Sequence, residues 1–178
     1  MMSHALLAQR CGEAAALLLT AADPQQLAQA ICQQAGSPLI LEDHAWLRQA
    51  AEYFSAGLAQ ESQFAGEMEP VPPAAVDTAV VVGLGAIPET GSVLVAGRTL
   101  STWRLSLCPR RLVVVIPAAQ AALSLAEALA VTAQDSSGLV SWLTGPSRTA
   151  DIEKVLVLGA QGARDLTVIL YTAGEVSA

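Results

Sequence analysis

One short segment combines residue types that bind anions, with the sequence Thr-Gly-Pro-Ser-Arg-Thr-Ala-Asp-Ile-Glu at residues 144–153. Its glycine and proline form a turn that ends an apolar run, and the serine and threonine that follow are residue types that cap helices. A helix beginning here would point unpaired backbone N–H groups at a ligand, and the arginine would add a guanidinium suited to a carboxylate or a phosphate. We therefore predict that an anionic ligand contacts Gly145, Pro146, Ser147, Arg148, Thr149 and Asp151.

The same segment also has a purely structural interpretation. Ser147, Thr149 and Asp151 would only cap a helix, and Arg148 would pair with Glu153 or face water. Helix caps are commoner than ligand sites, so the sequence alone leaves both interpretations open.

A second candidate loop is Gly-Leu-Gly-Ala-Ile-Pro-Glu-Thr-Gly at residues 83–91. It is not a dinucleotide fingerprint, because Pro88 stands where the third glycine belongs and no acidic residue follows at the right distance. What remains is a turn that carries Glu89, Thr90 and Gly91 between two apolar runs, and we expect Thr90 and Gly91 to contact the ligand. Glu89 could act as acid, base or nucleophile, or it could accept backbone N–H groups and hold two loops together.

Further arginines lie near these loops. In the loop at residues 159–164, Gly162 would let the backbone approach a ligand and Arg164 would offer a second guanidinium, although an arginine after a glycine turn is also ordinary surface chemistry. A stretch without acidic residues, 97–111, contains four more arginines that either flank an anion or balance acidic neighbours. They are Arg98, Arg104, Arg110 and Arg111.

The elements that would position these loops follow from periodicity and breakers. Alanine-rich and leucine-rich segments predict helices over residues 3–22, 24–35, 44–60 and 117–133. Short apolar, β-branched runs predict strands over residues 39–41, 78–82, 92–96, 112–116, 155–158 and 166–171. Alternating strands and helices of this kind indicate an α/β fold, a three-layer sandwich with a largely parallel sheet.

We expect one domain over residues 1–178, with a helical part (1–65), a proline-rich linker (66–76) and a sheet-rich core (77–178). Ligands of such sheets gather at the carboxyl ends of the strands. We therefore expect the loops to meet at that edge and form one pocket of positive potential. The loops are residues 83–91, 99–111, 144–151 and 159–164.

Composition excludes several classes of function. The net charge of −7 argues against nucleic acid or an anionic membrane as the main partner. No apolar stretch is long enough to span a bilayer, and a signal-peptide interpretation of residues 14–22 is rejected because Glu13 interrupts the approach to that run. Only 14% of the residues are charged, which suggests that a partner, a second copy of the chain among the candidates, covers some apolar surface.

Cysteine and histidine are scarce. Three cysteines without a Cys-x-x-Cys pair indicate neither a disulfide framework nor a zinc site, and two histidines form no metal constellation. A four-cysteine iron–sulfur cluster cannot be ligated by this chain alone. We expect no metal site, an unknown cofactor and a reducing, cytoplasmic compartment.

Several segments taken together resemble the LUD domain family, and within it the lactate-utilisation protein C group. The resemblance covers residues 77–171. Its motifs are Glu-Thr-Gly at 89–91, Ser-Leu-Cys-Pro at 106–109 leading into Val-Val-Val-Ile at 113–116, the segment 144–153, and Gly-Ala-Gln-Gly-Ala-Arg at 159–164.

The resemblance implies a fold like that of ribose-phosphate isomerases and CoA transferases. It also implies a link to oxidation of L-lactate to pyruvate, beside two companion proteins that carry iron–sulfur clusters. This chain would be the cluster-free accessory subunit, binding lactate or another small anion. Gln161 and Ala163 replace the histidine and proline that the family often has, which puts a proton transfer by that histidine in doubt. The alternatives are a stand-alone enzyme for a phosphorylated or CoA-linked acid and a non-catalytic ligand-binding module.

Overall fold

The computed structural model describes residues 2–65, 76–150, 156–158 and 162–172, with the backbone alone for residues 2, 100, 148–150 and 156–158. The helices are α1 (Met2–Glu13), α2 (Pro24–Gln34), α3 (Ala45–Ala51), α4 (Ala56–Glu61), α5 (Leu100–Leu107) and α6 (Leu125–Gln134). The strands are β1 (Leu17–Ala21), β2 (Leu39–Leu41), β3 (Ser62–Phe64), β4 (Thr78–Val82), β5 (Gly85–Ile87), β6 (Ser92–Ala96), β7 (Arg111–Pro117), β8 (Val140–Leu143), β9 (Arg148–Ala150), β10 (Leu156–Leu158) and β11 (Asp165–Tyr171).

Six strands form one all-parallel sheet in the order β1-β11-β7-β4-β2-β3. Its central strands read as continuous apolar runs because both faces are covered. Along β7, Val113 and Val115 pack with α2 and α3, whereas Leu112 and Val114 pack with α1, α5 and the strands β5 and β6. The protein is thus an α/β three-layer sandwich with a parallel central sheet, as the sequence predicts.

Two smaller sheets lie outside the parallel one. Strands β5, β6 and β8 form an antiparallel sheet, and β9 pairs antiparallel with β10. The strand predictions at residues 92–96 and 155–158 are therefore confirmed as strands for the described residues, but neither strand joins the parallel sheet. The predicted linker at residues 66–76 lies outside the described residues, apart from Val76.

The helix predicted over residues 3–22 is wrong in its second half. Helix α1 ends at Glu13, Ala15 takes a left-handed conformation with φ of 61°, and β1 then pairs with β11 at one edge of the sheet. Leucine and alanine favour helix locally, but pairing with β11 and the partial burial of Leu18 and Leu19 outweigh that weak preference.

Other boundaries differ from the predicted ones. The predicted helix 44–60 is two short helices, α3 and α4, and the helix predicted from residue 117 begins only at Leu125, where Ser124 and Glu127 form a capping box. Strand β3 and helix α5 were not predicted. Among the described residues, no helix combines the length and the apolar character needed to cross a membrane.

Candidate functional site

The loops singled out in the sequence bring several residues to one cavity of ≈ 290 Å³. Three connections form its walls: the end of α5, the loop after β8, and the loop before β11. The lining residues are Ser106, Leu107, Leu112, Trp142, Leu143, Thr144, Gly145, Pro146, Ser147, Gly162, Ala163 and Leu166. We call this space the loop cavity.

The loop cavity lies at the edge of the sheet opposite to the one we predicted. Leu112 and Leu166 line it, and they are the second residues of β7 and β11. The cavity therefore sits at the amino ends of these parallel strands, and the expectation of a pocket at the carboxyl ends is wrong for it. Helix α5 lies between β4 and β7, and strands β8, β9 and β10 lie between β7 and β11. Each of these connections leads the chain back to the amino end of the next strand of the parallel sheet, and the cavity forms there.

The turn at Gly145 is fixed by its backbone. Gly145 has φ of +76°, a left-handed conformation that glycine tolerates best, and a Cβ at this position would collide with the backbone oxygen of Ala14. The glycine thereby allows the loop after β8 to pack directly against the segment that follows α1. This close contact sets the position of the neighbouring Pro146 and Ser147 in the cavity wall.

A second close approach joins the loops at Ser147 and Gly162. The backbone N–H of Ser147 donates a hydrogen bond of 2.7 Å to the carbonyl of Ala163. Gly162 has φ of +122°, and a Cβ there would lie 3.2 Å from the Cβ of Ser147. The two predicted loops thus meet as expected, through backbone contact that a glycine permits.

The helix start predicted at Ser147 and Thr149 is wrong. Residues Arg148–Ala150 form β9, whose partner is β10, so the described part of this segment presents a strand where we expected the first turn of a helix. Serine and threonine occur in turns and strands as well as at caps, and the pairing with β10 decides between these uses. The side chains of Arg148 and Thr149, and all of Asp151 and Gln161, lie outside what the structure describes.

The sequence did not identify the contribution of α5 to the cavity. Ser106 is buried, lines the cavity, and donates a 2.7 Å hydrogen bond from its hydroxyl to the carbonyl of Trp103. Helix α5 is capped by Thr99, whose hydroxyl accepts the backbone N–H of Thr102. This threonine cap three residues before another hydroxyl residue is the local signal that could have revealed the helix.

The turn with Glu89, Thr90 and Gly91 connects β5 to β6 and does not line the loop cavity. The hydroxyl of Thr90 donates to that of Ser92 over 2.8 Å, and the Ser92 hydroxyl lies 2.6 Å from the hydroxyl of Thr144. A chain of three hydroxyls therefore links this turn to the cavity wall. Glu89 itself is exposed.

The predicted arginines are spread over both edges of the sheet. Arg164 is exposed, and its backbone N–H donates to the carbonyl of Arg110 at the amino edge. Arg111 pairs with Asp77 at 2.8 Å, and Arg98 lies 3.5 Å from Glu42 at the carboxyl edge. At least two arginines of the stretch 97–111 thus have acidic neighbours.

The loop cavity offers hydrogen-bonding groups beside an apolar wall. Hydroxyls of Ser106 and Thr144 stand with the side chains of leucine and tryptophan, and the described lining contains no carboxylate, imidazole, amine or thiol. Within the described residues, no group of three or more histidine, cysteine, aspartate or glutamate side chains could hold a metal ion. The arrangement is suited to binding a ligand with polar and apolar parts.

Comparison with known proteins identifies the family. The model of the LUD domain matches residues 73–171, more than half of the chain and all of the cavity lining. A crystal structure of a DUF162 family protein from Deinococcus radiodurans is similar to this chain, with a TM-score of 0.71, 20% sequence identity, and coverage of 96% of both chains. That similarity shows a shared fold. A search of curated proteins found no match. The chain belongs to the LUD domain family, which is associated with lactate utilisation.

Proposed function

We propose that this chain is the cluster-free accessory subunit of an iron–sulfur system that oxidises L-lactate, and that its loop cavity binds a small carboxylate or another anionic ligand. The observation that carries the proposal is the LUD domain match over residues 73–171, which contains the whole described lining of the cavity. The family supplies the link to lactate, and the cavity supplies a place for a ligand.

An accessory role agrees with the cavity's chemistry. Since the described lining holds no group that exchanges protons near neutral pH, the cavity is better suited to holding a ligand than to transforming it. The three cysteines of the chain are too few for a four-cysteine cluster. Electron transfer would therefore depend on two companion proteins that carry the iron–sulfur clusters.

The expected binding energy also favours a partner. Without a helix start at Ser147, the charged contribution predicted for the segment reduces to Arg148, and one charged hydrogen bond contributes about 1.5–3 kcal/mol. That corresponds to a dissociation constant weaker than about 1 mM. Lactate would bind poorly to the isolated chain, so a larger ligand or a partner surface would complete the site.

Reconstitution tests the accessory role. The purified chain should be colourless and should not oxidise L-lactate with an artificial electron acceptor, whereas adding two companion iron–sulfur proteins from the same host should give activity that depends on this chain. Turnover of lactate by the chain alone would refute the accessory role. Full activity of the two companions without this chain would refute it equally.

Complementation tests the anion site. In a host that lacks this chain, Arg148→Ala should fail to restore growth on L-lactate while its melting temperature stays close to that of the wild type. Arg48→Ala is the matched control, because Arg48 is about half exposed and pairs with Asp43 at the opposite edge of the sheet. It should restore growth. A large loss of stability in Arg148→Ala would instead support a structural role for this arginine.

The stand-alone enzyme alternative gains no support from the described residues. It requires Glu89 as base or nucleophile beside the ligand, and Glu89 is exposed on the β5–β6 turn, outside the cavity lining.

A further inference from the structure

A second cavity, of ≈ 420 Å³, lies at the other edge of the sheet. Its walls come from the segments after β2, β3 and β6 and from the start of α5, so it occupies the carboxyl ends of parallel strands, where ligands of such sheets are most often found. The lining residues are Glu42, Asp43, Ala65, Arg98, Thr99, Ser101 and Thr102. We call this space the rim cavity.

Glu42 is the central group of the rim cavity. It follows the last residue of β2, and its side chain is only 8% exposed. One carboxyl oxygen, Oε2, accepts the backbone N–H of Val82 over 2.7 Å, which holds the side chain in place at the end of β4. The other, Oε1, faces Arg98 Nη1 at 3.5 Å. A fixed, buried carboxyl thus lies in the wall of an open cavity.

Arg98 has N–H donors available for a ligand. Its side chain is 46% exposed, and its contact with Glu42 is a long one, so a guanidinium with five N–H donors keeps donors available toward the cavity. The hydroxyl of Ser101 adds a further polar group to the wall. This set of groups suits a planar, singly charged oxyanion, which a guanidinium binds in a two-pronged arrangement.

Burial, and not the neighbouring charge, shifts Glu42 toward its neutral form. Burial raises the pKa of Glu42, although the hydrogen bond from Val82 and the charge of Arg98 act in the opposite direction. Of the nearby titratable groups, Asp43 is paired with Arg48, which lowers its pKa. Burial and the charge of Arg98 lower the pKa of His44.

We propose that the rim cavity is a ligand site that binds the carboxylate group of a small organic acid between Arg98 and Glu42. A ligand carboxylate beside Glu42 is stable only when Glu42 carries a proton, because two adjacent carboxylates repel each other. Protonated Glu42 then donates a hydrogen bond to the ligand while Arg98 supplies the positive charge. Binding therefore takes up one proton wherever Glu42 is ionised in the free protein. The site is separate from the loop cavity and does not depend on the proposed lactate role.

Calorimetry with the full chain tests this site, with pyruvate as the probe. At pH 5 the wild type should bind pyruvate more tightly than at pH 8, and titrations in two buffers of different ionisation enthalpy should show proton uptake on binding. Arg98→Ala should weaken binding about tenfold or more, as expected for one charged hydrogen bond. Arg110→Ala, an exposed arginine at the other edge of the sheet, should bind like the wild type.

Substitutions of the titrating groups separate proton uptake from simple attraction. Glu42→Gln keeps an oxygen for the Val82 N–H and keeps a donor for the ligand, so it should bind pyruvate equally at pH 5 and pH 8 without proton uptake. His44→Asn should retain the pH dependence of the wild type. Circular dichroism would establish that each variant is folded, and Arg98→Lys would replace Arg98→Ala if the latter is not.

Several results would overturn the proposal. They are an absence of pyruvate binding at both pH values, wild-type affinity in Arg98→Ala, and unchanged proton uptake in Glu42→Gln. The first would leave Glu42 with only its structural role at the end of β4. None of them bears on the loop cavity, whose test depends on Arg148 and on the companion proteins.

Discussion

Two glycines with nearly the same backbone conformation allow the contact between the loop cavity and α1 to be measured. Gly145 has φ of +76° and Gly138 has φ of +73°. A Cβ at Gly145 would collide with the backbone oxygen of Ala14, whereas a Cβ at Gly138 would have no heavy atom within 4 Å. Comparing Gly145→Ala with Gly138→Ala therefore isolates the packing of the loop on the end of α1.

The expected magnitudes differ because only one variant is overpacked. In both, alanine in the left-handed region costs about 1–2 kcal/mol, and the reduced freedom of the unfolded chain returns about 0.4–1 kcal/mol. In Gly145→Ala, displacing backbone adds about 1–3 kcal/mol. Taking about 2 kcal/mol for this difference, and about 2–4 °C per kcal/mol for a chain of this size, Gly145→Ala should melt about 4–8 °C below Gly138→Ala.

Differential scanning calorimetry of the two variants and the wild type is the assay. Both melts should remain cooperative, so that the melting temperatures can be compared. Equal losses in the two variants would refute the close contact between Gly145 and Ala14. The placement of Pro146 and Ser147 in the cavity wall would then lose its structural basis.

Three further predictions concern hydrogen bonding and pH. Ser92→Ala breaks the hydroxyl chain between Thr90 and Thr144 at a buried position and should cost roughly 1–3 kcal/mol in urea unfolding. Burial raises the pKa of Glu42, so the wild type loses stability as the pH rises above about 4.3. The Glu42→Gln side chain does not titrate, so between pH 4 and pH 8 this variant should become more stable relative to the wild type, by about 1.4 kcal/mol for each pH unit by which burial raises the pKa. Burial lowers the pKa of His44, so the wild type loses stability as the pH falls below about 6.5. His44→Asn supplies a side-chain oxygen in place of Nδ1 to accept the Trp46 N–H at the start of α3, and should lose less.

Each of these has a result that would contradict it. For Ser92→Ala, an unchanged urea midpoint would show that the hydroxyl chain adds nothing to stability. For Glu42→Gln, a difference from the wild type that stays constant from pH 4 to pH 8 would show that Glu42 titrates normally. For His44→Asn, an acid-induced loss equal to that of the wild type would assign that loss to other groups.

The central sheet could be predicted from the sequence because its strands carry their own signal. The valine-rich runs in β4 and β7 are too short for helices and too apolar for a half-exposed sheet, which leaves a buried parallel strand as the consistent interpretation. Strand β1 could not be predicted in this way. Its leucines favour helix locally, and its pairing with β11 joins segments far apart in the chain.

Of the predicted site residues, Gly145, Pro146, Ser147 and Gly162 line the loop cavity, whereas the geometry of the cavity could not be predicted. Glycines at 145 and 162 permit close approaches, but to Ala14 and Ser147 of the protein itself, whereas the approach expected of Gly162 was to a ligand. Local patterns could not show that residues 148–150 pair with β10, nor that the loops return to the amino edge of the sheet. Glu42 carried no local signal either, because its burial depends on β4 and on Arg98, which follows β6.

Amide NMR of the full chain, titrated with L-lactate, most directly tests the claim that the loop cavity holds the ligand. One charged hydrogen bond corresponds to a dissociation constant of roughly 6–80 mM, so lactate titrated up to ~50 mM should shift the amide signals of Ser106, Thr144, Ser147 and Gly162 together along one weak binding curve. Signals of these four residues that stay unchanged, while lactate shifts others or none, would contradict the account.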